Sequence, residues 1–493
     1  MAPTPDVPPG VHPDRPGRRP RRLRPPRRPA LRRFLRSPTI RNNLYYLLGI
    51  GGSGAGVLIA QAYAAHFLGP TANGVSTAIL ALLNLLYTVT FIVAASTARR
   101  VSQALSQAPE AEVLWPAVRA RAWRLGIVLG ASTVPAVPLL AMVLHLQNMA
   151  LLLVVIVAGP LAALGGAQRG FLQGTRDFRR LATNFLLYGG LMVAVTVALL
   201  HLGLGAASAP IGSVAGATAA AIYPRHRRLS SAMASLPTSS HGWTTAMAVV
   251  AGAATAPLFN NFDVIAAKHV LPPHQAGLYA GLSLMGKIVF FGTSSLAAVM
   301  YPRVAATSDP LVQRHLLRQA ATALATLDAI ALLGYTVLAA PLLRVVLGPA
   351  YAGDARLLTL FTLGVIALTV VNLLVYYAMA VGARRFALAP ALGIPLLADW
   401  LFTSPPAVRE FVPRIALALG LLAVVELALV GPLLRSSPHR QRSDRPTAAP
   451  PNPDARPLAV DVTEDDVDAA NHSDGIRQQL PDDHLRESGQ IAE

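Results

Sequence analysis

Residues 75–98 read VSTAILALLNLLYTVTFIVAASTA, and Arg99 and Arg100 follow directly. A helix needs about 20 consecutive apolar residues to cross the hydrocarbon core of a bilayer. This stretch has 24 residues and no charge, and basic residues at its end are typical of a cytoplasmic boundary. It therefore predicts a transmembrane helix.

Similar apolar stretches recur along the chain. Residues 146–148 alone separate the third from the fourth, which predicts a tight helical hairpin. Asp309 and Pro310 predict the start of an interfacial helix over 309–320 that leads into the ninth span. The predicted fold is an all-α integral membrane protein with twelve transmembrane helices, which we read at 44–67, 75–98, 125–146, 149–168, 181–201, 205–223, 244–266, 278–300, 319–340, 357–381, 387–403 and 413–434.

The charge of the chain is distributed unevenly. The sequence is 53% hydrophobic and 13% charged, with a net charge of +18. Residues 1–42 carry +10, residues 43–435 carry +14 and residues 436–493 carry −6. Because soluble domains hold about 25% charged residues, this composition excludes an ordinary soluble enzyme. Most arginines flank apolar spans, which argues against a nucleic-acid partner.

The sequence predicts no cofactor and no metal site. It has no cysteine, so disulfides, thiolate metal sites and a cysteine nucleophile are excluded. The 12 histidines show no metal-binding spacing, and no Walker loop is present. Residues 51–56, GGSGAG, lie inside an apolar span, where small residues indicate close helix packing rather than a phosphate loop.

The basic residues predict an orientation. If twelve spans alternate, one set of connections carries 18 basic residues and the opposite set carries 5. The positive-inside rule then places both termini in the cytoplasm of a bacterial plasma membrane. We expect residues 1–42 and 436–493 to be disordered cytoplasmic tails, with the Arg-rich first tail near anionic lipids of the inner leaflet.

The two halves of the apolar region resemble each other. When the halves are aligned at an offset of 203 residues, Asn84 corresponds to Lys287 and Arg100 corresponds to Arg303. We therefore predict two six-helix lobes, over 43–224 and 243–435, joined by a cytoplasmic linker at 225–242, with a substrate path between them. A pattern of His, Leu, Pro and Gly carries the offset: His66, Leu68, Pro70, Gly74 and His269, Leu271, Pro273, Gly277.

Seven short motifs follow one another in a characteristic order: FLGP at 67–70, QRGFLQG at 168–174, NFD at 261–263, AGLYA at 276–280, GKI at 286–288, YPR at 301–303 and LGPAY at 347–351. In sequence and order, these motifs resemble those of the polysaccharide (O-antigen type, Wzx-like) flippases, and the resemblance covers roughly residues 43–430. The resemblance implies a MATE-like fold and membership of the multidrug/oligosaccharidyl-lipid/polysaccharide (MOP) exporter superfamily. It implies a transporter that moves a polyprenyl-diphosphate-linked glycan across the membrane by alternating access. Glycosyltransferases or a polymerase of the same pathway are the implied protein partners.

Four other functions stay open. A MATE-type small-molecule or cation antiporter and a lipid II flippase belong to the same superfamily. Lipid II flippases usually have fourteen spans and arginines in the first span, whereas residues 44–67 carry no charge. A polysaccharide polymerase is disfavoured because the predicted outer loops are short and hold few acids. A membrane scaffold would recruit glycan-assembly enzymes through its tails.

Three ionisable residues are predicted at midplane depth. Lys287, Asp328 and Glu426 lie about nine or ten residues inside their spans, roughly 15 Å from the nearer end. Charges at that depth are costly and normally face a cavity or a partner. Lys287 would attract a diphosphate, and Asp328 or Glu426 would take up a coupling proton or sodium ion. The alternative is a structural ion pair between Lys287 and Asp328.

Further polar residues are candidates for the substrate path. Asn261 and Asp263 would line an outward cavity or cap the helix at the interface. Asn84 occupies the repeat position of Lys287. Arg100 and Arg303 would meet the diphosphate at an inner gate, or would anchor their helices among anionic lipids.

Overall fold

The regular elements are all helical throughout the part of the chain that the structure, a computed structural model, describes: residues 38–107, 114–223 and 258–435. The all-α prediction is confirmed. The linker predicted at 225–242 lies outside the described residues, as do the predicted tails except for residues 38–42. Those five residues belong to the first helix, so the predicted tail boundary at residue 42 is wrong.

The described helices form two groups along the chain, one before and one after residues 224–257, which lie outside the described residues. Short 3-10 turns at Met149–Leu152, Gly205–Ala207 and Pro349–Asp354 connect some of them. The first group comprises α1 (Pro38–Gln107), α2 (Leu114–Thr133), α3 (Val137–Val143), α4 (Leu153–Gly174), α5 (Phe178–His201) and α6 (Ser208–Ile222). The second comprises α7 (258–270), α8 (Pro273–Ala305), α9 (Pro310–Val337), α10 (Ala339–Val346), α11 (Ala355–Ala380), α12 (Arg384–Phe402) and α13 (Val408–Arg435).

The long element α1 is two helices joined at Gly69. Its 70 residues would be about 105 Å long if straight, far more than a bilayer thickness. Gly69 leaves the helical conformation with φ 69° and ψ 176°, which a residue without a Cβ adopts readily, and Pro70 resumes the helix. The turn predicted between the first two spans is thus reduced to one residue. We call the part before Gly69 helix α1a and the part after it helix α1b.

Among the described residues, eight helices are long and apolar enough to span a membrane. The segment Leu44–Leu105 is counted here as one helix. The number is nine if α2 and α3, which are bent by 54° at their junction, form one broken span. The chain is a multi-pass membrane protein. The count of twelve spans and the orientation of the termini stay predictions.

Three predicted boundaries are wrong. The third span begins at Leu114 and not near residue 125. The fourth continues to Gly174 and not to residue 168, which brings Arg169 into the membrane-spanning helix. The ninth span, predicted from residue 319, is continuous with the segment 309–320, because α9 runs unbroken from Pro310 to Val337. The start of α9 is as predicted, since Asp309 accepts a hydrogen bond from the Leu311 amide at 2.8 Å.

Glycines allow the helices of the first group to pack closely. A Cβ at Gly52 would meet Leu186 of α5, and one at Gly56 would meet the backbone of Gly189. This confirms that the GGSGAG segment is a helix-packing surface. On α4, Cβ atoms at Gly166, Gly170 and Gly174 would collide with α1b. Lipid drives no hydrophobic association between helices, so such close backbone contacts supply much of the packing energy.

The main contact between the two groups joins repeat-related positions. Helix α1b packs on α8, and a Cβ at Gly74 would lie 2.9 Å from the Gly277 nitrogen. A Cβ at Gly277 would lie 1.7 Å from the carbonyl oxygen of Pro70. Equivalent residues that face each other in this way are typical of a contact about a two-fold axis. The boundaries of the two predicted lobes stay a prediction.

Gly277→Ala is expected to destabilise the protein by about 1–3 kcal/mol, because the new methyl group would overlap the Pro70 backbone. The matched control is Gly292→Ala on the same helix, where an added Cβ has open space. Thermal unfolding of the detergent-purified variants measures the difference. Equal apparent melting temperatures would contradict the close contact.

Candidate functional site

A cavity of about 290 Å³ lies among the helices of the first group and is closed on one side by the second. The first group contributes residues of α1, α4, α5 and α6, and the second contributes Asn261, Lys287 and Phe291. The described lining contains two basic residues, Arg169 and Lys287, and no Asp or Glu. This volume is at the lower end of the range for small-ligand sites.

Lys287 lies deep in the fold, at the wall of the cavity. It is 14 residues beyond Pro273, about 21 Å along α8, and only 4% of its surface is exposed. It interacts electrostatically with Asp263, but no ion pair within 4.0 Å joins the two residues. In the described residues Nζ also makes no hydrogen bond, which leaves it available to an anionic group in the cavity.

Asp263 lies behind Lys287 and is held by α8. Its Oδ2 accepts hydrogen bonds from the Tyr279 hydroxyl at 2.7 Å and the Ser283 hydroxyl at 3.3 Å. Tyr279, Ser283 and Lys287 are four residues apart, so one face of α8 presents two donors and a cation to α7. The Tyr279 ring packs edge-on against Phe411, with centroids 4.9 Å apart, which fixes its hydroxyl.

Two asparagines link the groups of helices at the cavity. The Asn84 side-chain amide donates to Asn261 Oδ1 at 3.1 Å. Asn84 comes from α1b, Asn261 comes from α7, and both line the cavity. The structure thus brings together four residues that the sequence singled out separately: Asn84, Asn261, Asp263 and Lys287.

Arg169 is the second cation of the cavity, and the sequence interpretation missed it. Its Nε donates to Asn184 Oδ1 at 3.0 Å, and its guanidinium lies 4.4 Å from the centroid of the Phe185 ring. Tyr188 is on the same side, 5.4 Å away. In the described residues its terminal nitrogens make no hydrogen bond, so a guanidinium with five donors has most of them free for a ligand.

The position of Arg169 could have been recognised from glycine spacing. A span that ends at residue 168, as the hydropathy predicts, leaves Arg169 in a cytoplasmic connection. Gly166, Gly170 and Gly174 recur every four residues, which is the pattern of one continuous helix face. That pattern carries the helix past Arg169.

The two candidate coupling acids lie away from the cavity lining. Asp328 on α9 is 3% exposed, and its Oδ2 accepts from the Thr369 hydroxyl of α11 at 2.9 Å. Lys287 is not its partner, so the predicted alternative of a Lys287–Asp328 pair is wrong. Glu426 on α13 is 1% exposed. Asp328 Oδ1 and Glu426 Oε1 have no hydrogen-bond partner among the described residues.

Arg100 and Arg303 do not join this site. Arg303 is exposed near the end of α8. Arg100 lines a second cavity, formed with α2. The structure therefore separates the two proposed gate arginines from the residues around Lys287.

Solved structures of known transporters share this arrangement of helices. One is an inward-facing conformation of a multidrug resistance MATE family transporter of the MOP superfamily, with a TM-score of 0.63 at 11% identity, covering 82% of this chain and 96% of that one. A MATE in complex with MaL6 gives 0.58 at 11% identity, covering 80% and 96%. A MATE in the bent conformation gives 0.57 at 13% identity, covering 82% and 97%.

The fold is that of the MATE transporters. The identity is too low to carry any residue role from those proteins to this chain. No protein-family model matches the sequence, and no curated protein matches it. The expected MATE-like fold is confirmed. Membership of the flippase branch stays a prediction.

Asp263→Asn is expected to destabilise the protein by about 1–3 kcal/mol, because Lys287 would then be buried without a compensating charge. Adding Lys287→Met should restore most of the loss. Asp309→Asn is the control, since Asn caps an exposed helix start as well as Asp does. Apparent melting temperatures of the single and double variants measure the coupling, and simple additivity would contradict it.

Proposed function

We propose that the protein is a flippase that moves a lipid-linked oligosaccharide across the membrane by alternating access. One observation supports this choice within the fold. The Lys287 cavity is lined by two basic residues and, in the described part of the chain, by no carboxylate. Asp263 partly offsets the charge of Lys287, and Arg169, which has no acid partner among the described residues, adds a positive charge that favours an anionic ligand.

A diphosphate fits this pair of cations chemically. The ammonium of Lys287 is a compact donor, and the guanidinium of Arg169 offers a planar fork to phosphate oxygens. The amides of Asn84 and Asn261 supply neutral donors and acceptors beside them. At about 290 Å³ the cavity holds the charged linkage, and a longer glycan extends from it.

Asp328 and Glu426 are our candidates for energy coupling. Each carboxyl group is buried with one oxygen unpartnered in the described residues, so its ionised form is costly. A proton or sodium ion bound there removes that cost. Uptake and release of the ion would then bias one arrangement of the helices over the other.

Lys287→Gln and Arg169→Gln are each expected to slow translocation at least about tenfold, since each removes a charged contact to the diphosphate. Lys268→Gln is the matched control, because Lys268 is the other lysine of the chain and does not line the cavity. Purified variants in vesicles are tested with a fluorescent polyprenyl-diphosphate-linked disaccharide. Full activity of Lys287→Gln would remove Lys287 from the mechanism.

Asp328→Asn is expected to abolish the stimulation of transport by a proton or sodium gradient while substrate exchange without a gradient continues. The charge of the coupling site is lost, but the cavity is untouched. Glu410→Gln serves as the control, because Glu410 is exposed. Unchanged stimulation in Asp328→Asn and in Glu426→Gln would rule out both acids.

A MATE-type cation antiporter is the second candidate, favoured by the multidrug resistance transporter whose structure is similar. It requires that a cation enter a cavity lined by Arg169 and Lys287, which the charge opposes. Vesicles with the full chain and an imposed proton gradient distinguish the two. Accumulation of ethidium without movement of the lipid-linked disaccharide would favour the antiporter.

A further inference from the structure

A second cavity, of about 250 Å³, lies between α1b and α2. Both helices pack on α4 and make little contact with each other. The approach of α2 to α4 is close, since a Cβ at Gly126 would lie 2.5 Å from Pro160. Helix α1b is equally close, because a Cβ at Gly170 would lie 2.4 Å from the carbonyl oxygen of Ala94. Two helices held against a third in this way leave a groove between them.

Two arginines share the groove. Arg100 comes from the end of α1b and Arg121 from α2, and they are close enough to interact as like charges. The described residues that line the groove include no acid. Two guanidinium groups that share a groove without an acid are stabilised by an anion that accepts hydrogen bonds from both, and phosphate geometry suits that role.

The remainder of the groove is apolar. Ile92, Val93, Val118 and Leu125 line it, beside the hydroxyl-bearing Ser96 and Thr97. Leu125 is 41% exposed and Trp123, on the same helix, is 48% exposed. An exposed Trp among arginines is typical of the depth at which lipid headgroups meet acyl chains. The ligand that fits has a phosphate at one end and a hydrocarbon chain at the other.

This groove is distinct from the Lys287 cavity. At 100° per residue, Asn84 and Phe91 of the Lys287 cavity lie about 120–180° around helix α1b from Ser96 and Arg100 of the groove, although Thr90 of the cavity lies beside Thr97 of the groove. Helix α1b therefore separates the two cavities. A ligand in the groove would contact the protein from the membrane side and leave the transport cavity unoccupied.

We propose that Arg100 and Arg121 bind the phosphate of an anionic phospholipid, whose acyl chain lies along the apolar part of the groove. The site stabilises the packing of α1b, α2 and α4 by compensating two neighbouring positive charges. It does not depend on which substrate the protein transports.

Native mass spectrometry of the purified full chain, titrated with phosphatidylglycerol, tests the site. Wild type should retain the lipid, and Arg100→Gln with Arg121→Gln should weaken its binding about 10- to 100-fold, because charge-assisted hydrogen bonds are lost. Arg119→Gln with Arg124→Gln is the matched control, since these exposed arginines of α2 do not line the groove. An equal loss in both double variants would overturn the proposal.

Three further arms decide the chemistry of the ligand. Phosphatidylcholine should bind at least about tenfold more weakly, and equal binding would show that net charge is irrelevant. Inorganic phosphate alone should not compete at lipid-saturating concentrations, and full competition would replace the lipid with a free anion.

Glu110 and Glu112 lie outside the described residues. If only Glu110→Gln with Glu112→Gln retained phosphatidylglycerol, these acids would be the natural partners of the arginines and the proposal would fail.

Discussion

Close backbone contact between helices is the constraint on which the rest of this structure depends. Water drives apolar surfaces together in soluble proteins, but a bilayer does not, so helices must gain stability from dense packing. Gly52 and Gly56 allow α1a to pack closely on α5, and Gly166 and Gly170 allow α1b to pack closely on α4. Gly74 and Gly277 then join the two groups of helices. The cavities are the spaces that these contacts leave between the helices.

The buried charges are arranged asymmetrically around those spaces. Arg169 and Lys287 are the basic residues that line the Lys287 cavity, and Asp263, which does not line it, accepts hydrogen bonds from Tyr279 and Ser283. Among the described residues Asp263 Oδ1 has no hydrogen-bond partner, and neither do Asp328 Oδ1 and Glu426 Oε1, which lie away from the cavity lining. A site for an anion and sites for a coupling cation can therefore occur in one chain without neutralising each other.

The sequence was sufficient to predict a polytopic helical protein, because length and hydropathy determine what can cross a bilayer, whereas the MATE-like fold was implied by the resemblance of its motifs. It was also sufficient to select Asn84, Asn261 and Lys287, since polar residues inside apolar spans are costly and conspicuous. It was insufficient for Arg169, because an arginine at the end of an apolar run looks like a boundary marker. The electrostatic interaction of Lys287 with Asp263 was missed for a different reason. Spacing along one helix says nothing about which neighbouring helix supplies the partner.

The hydrogen bond between Asn84 and Asn261 has a consequence for how readily the two groups of helices separate. A neutral amide pair contributes only about 1 kcal/mol, whereas a buried ion pair at that position would leave two uncompensated charges on opening. The hydrogen bond therefore holds α1b and α7 in one register in the closed arrangement, and it adds little to the free energy needed to separate them. A free energy of about 1 kcal/mol is roughly a fivefold change in an equilibrium constant, so a ligand that bound the open arrangement more tightly by that factor would offset it.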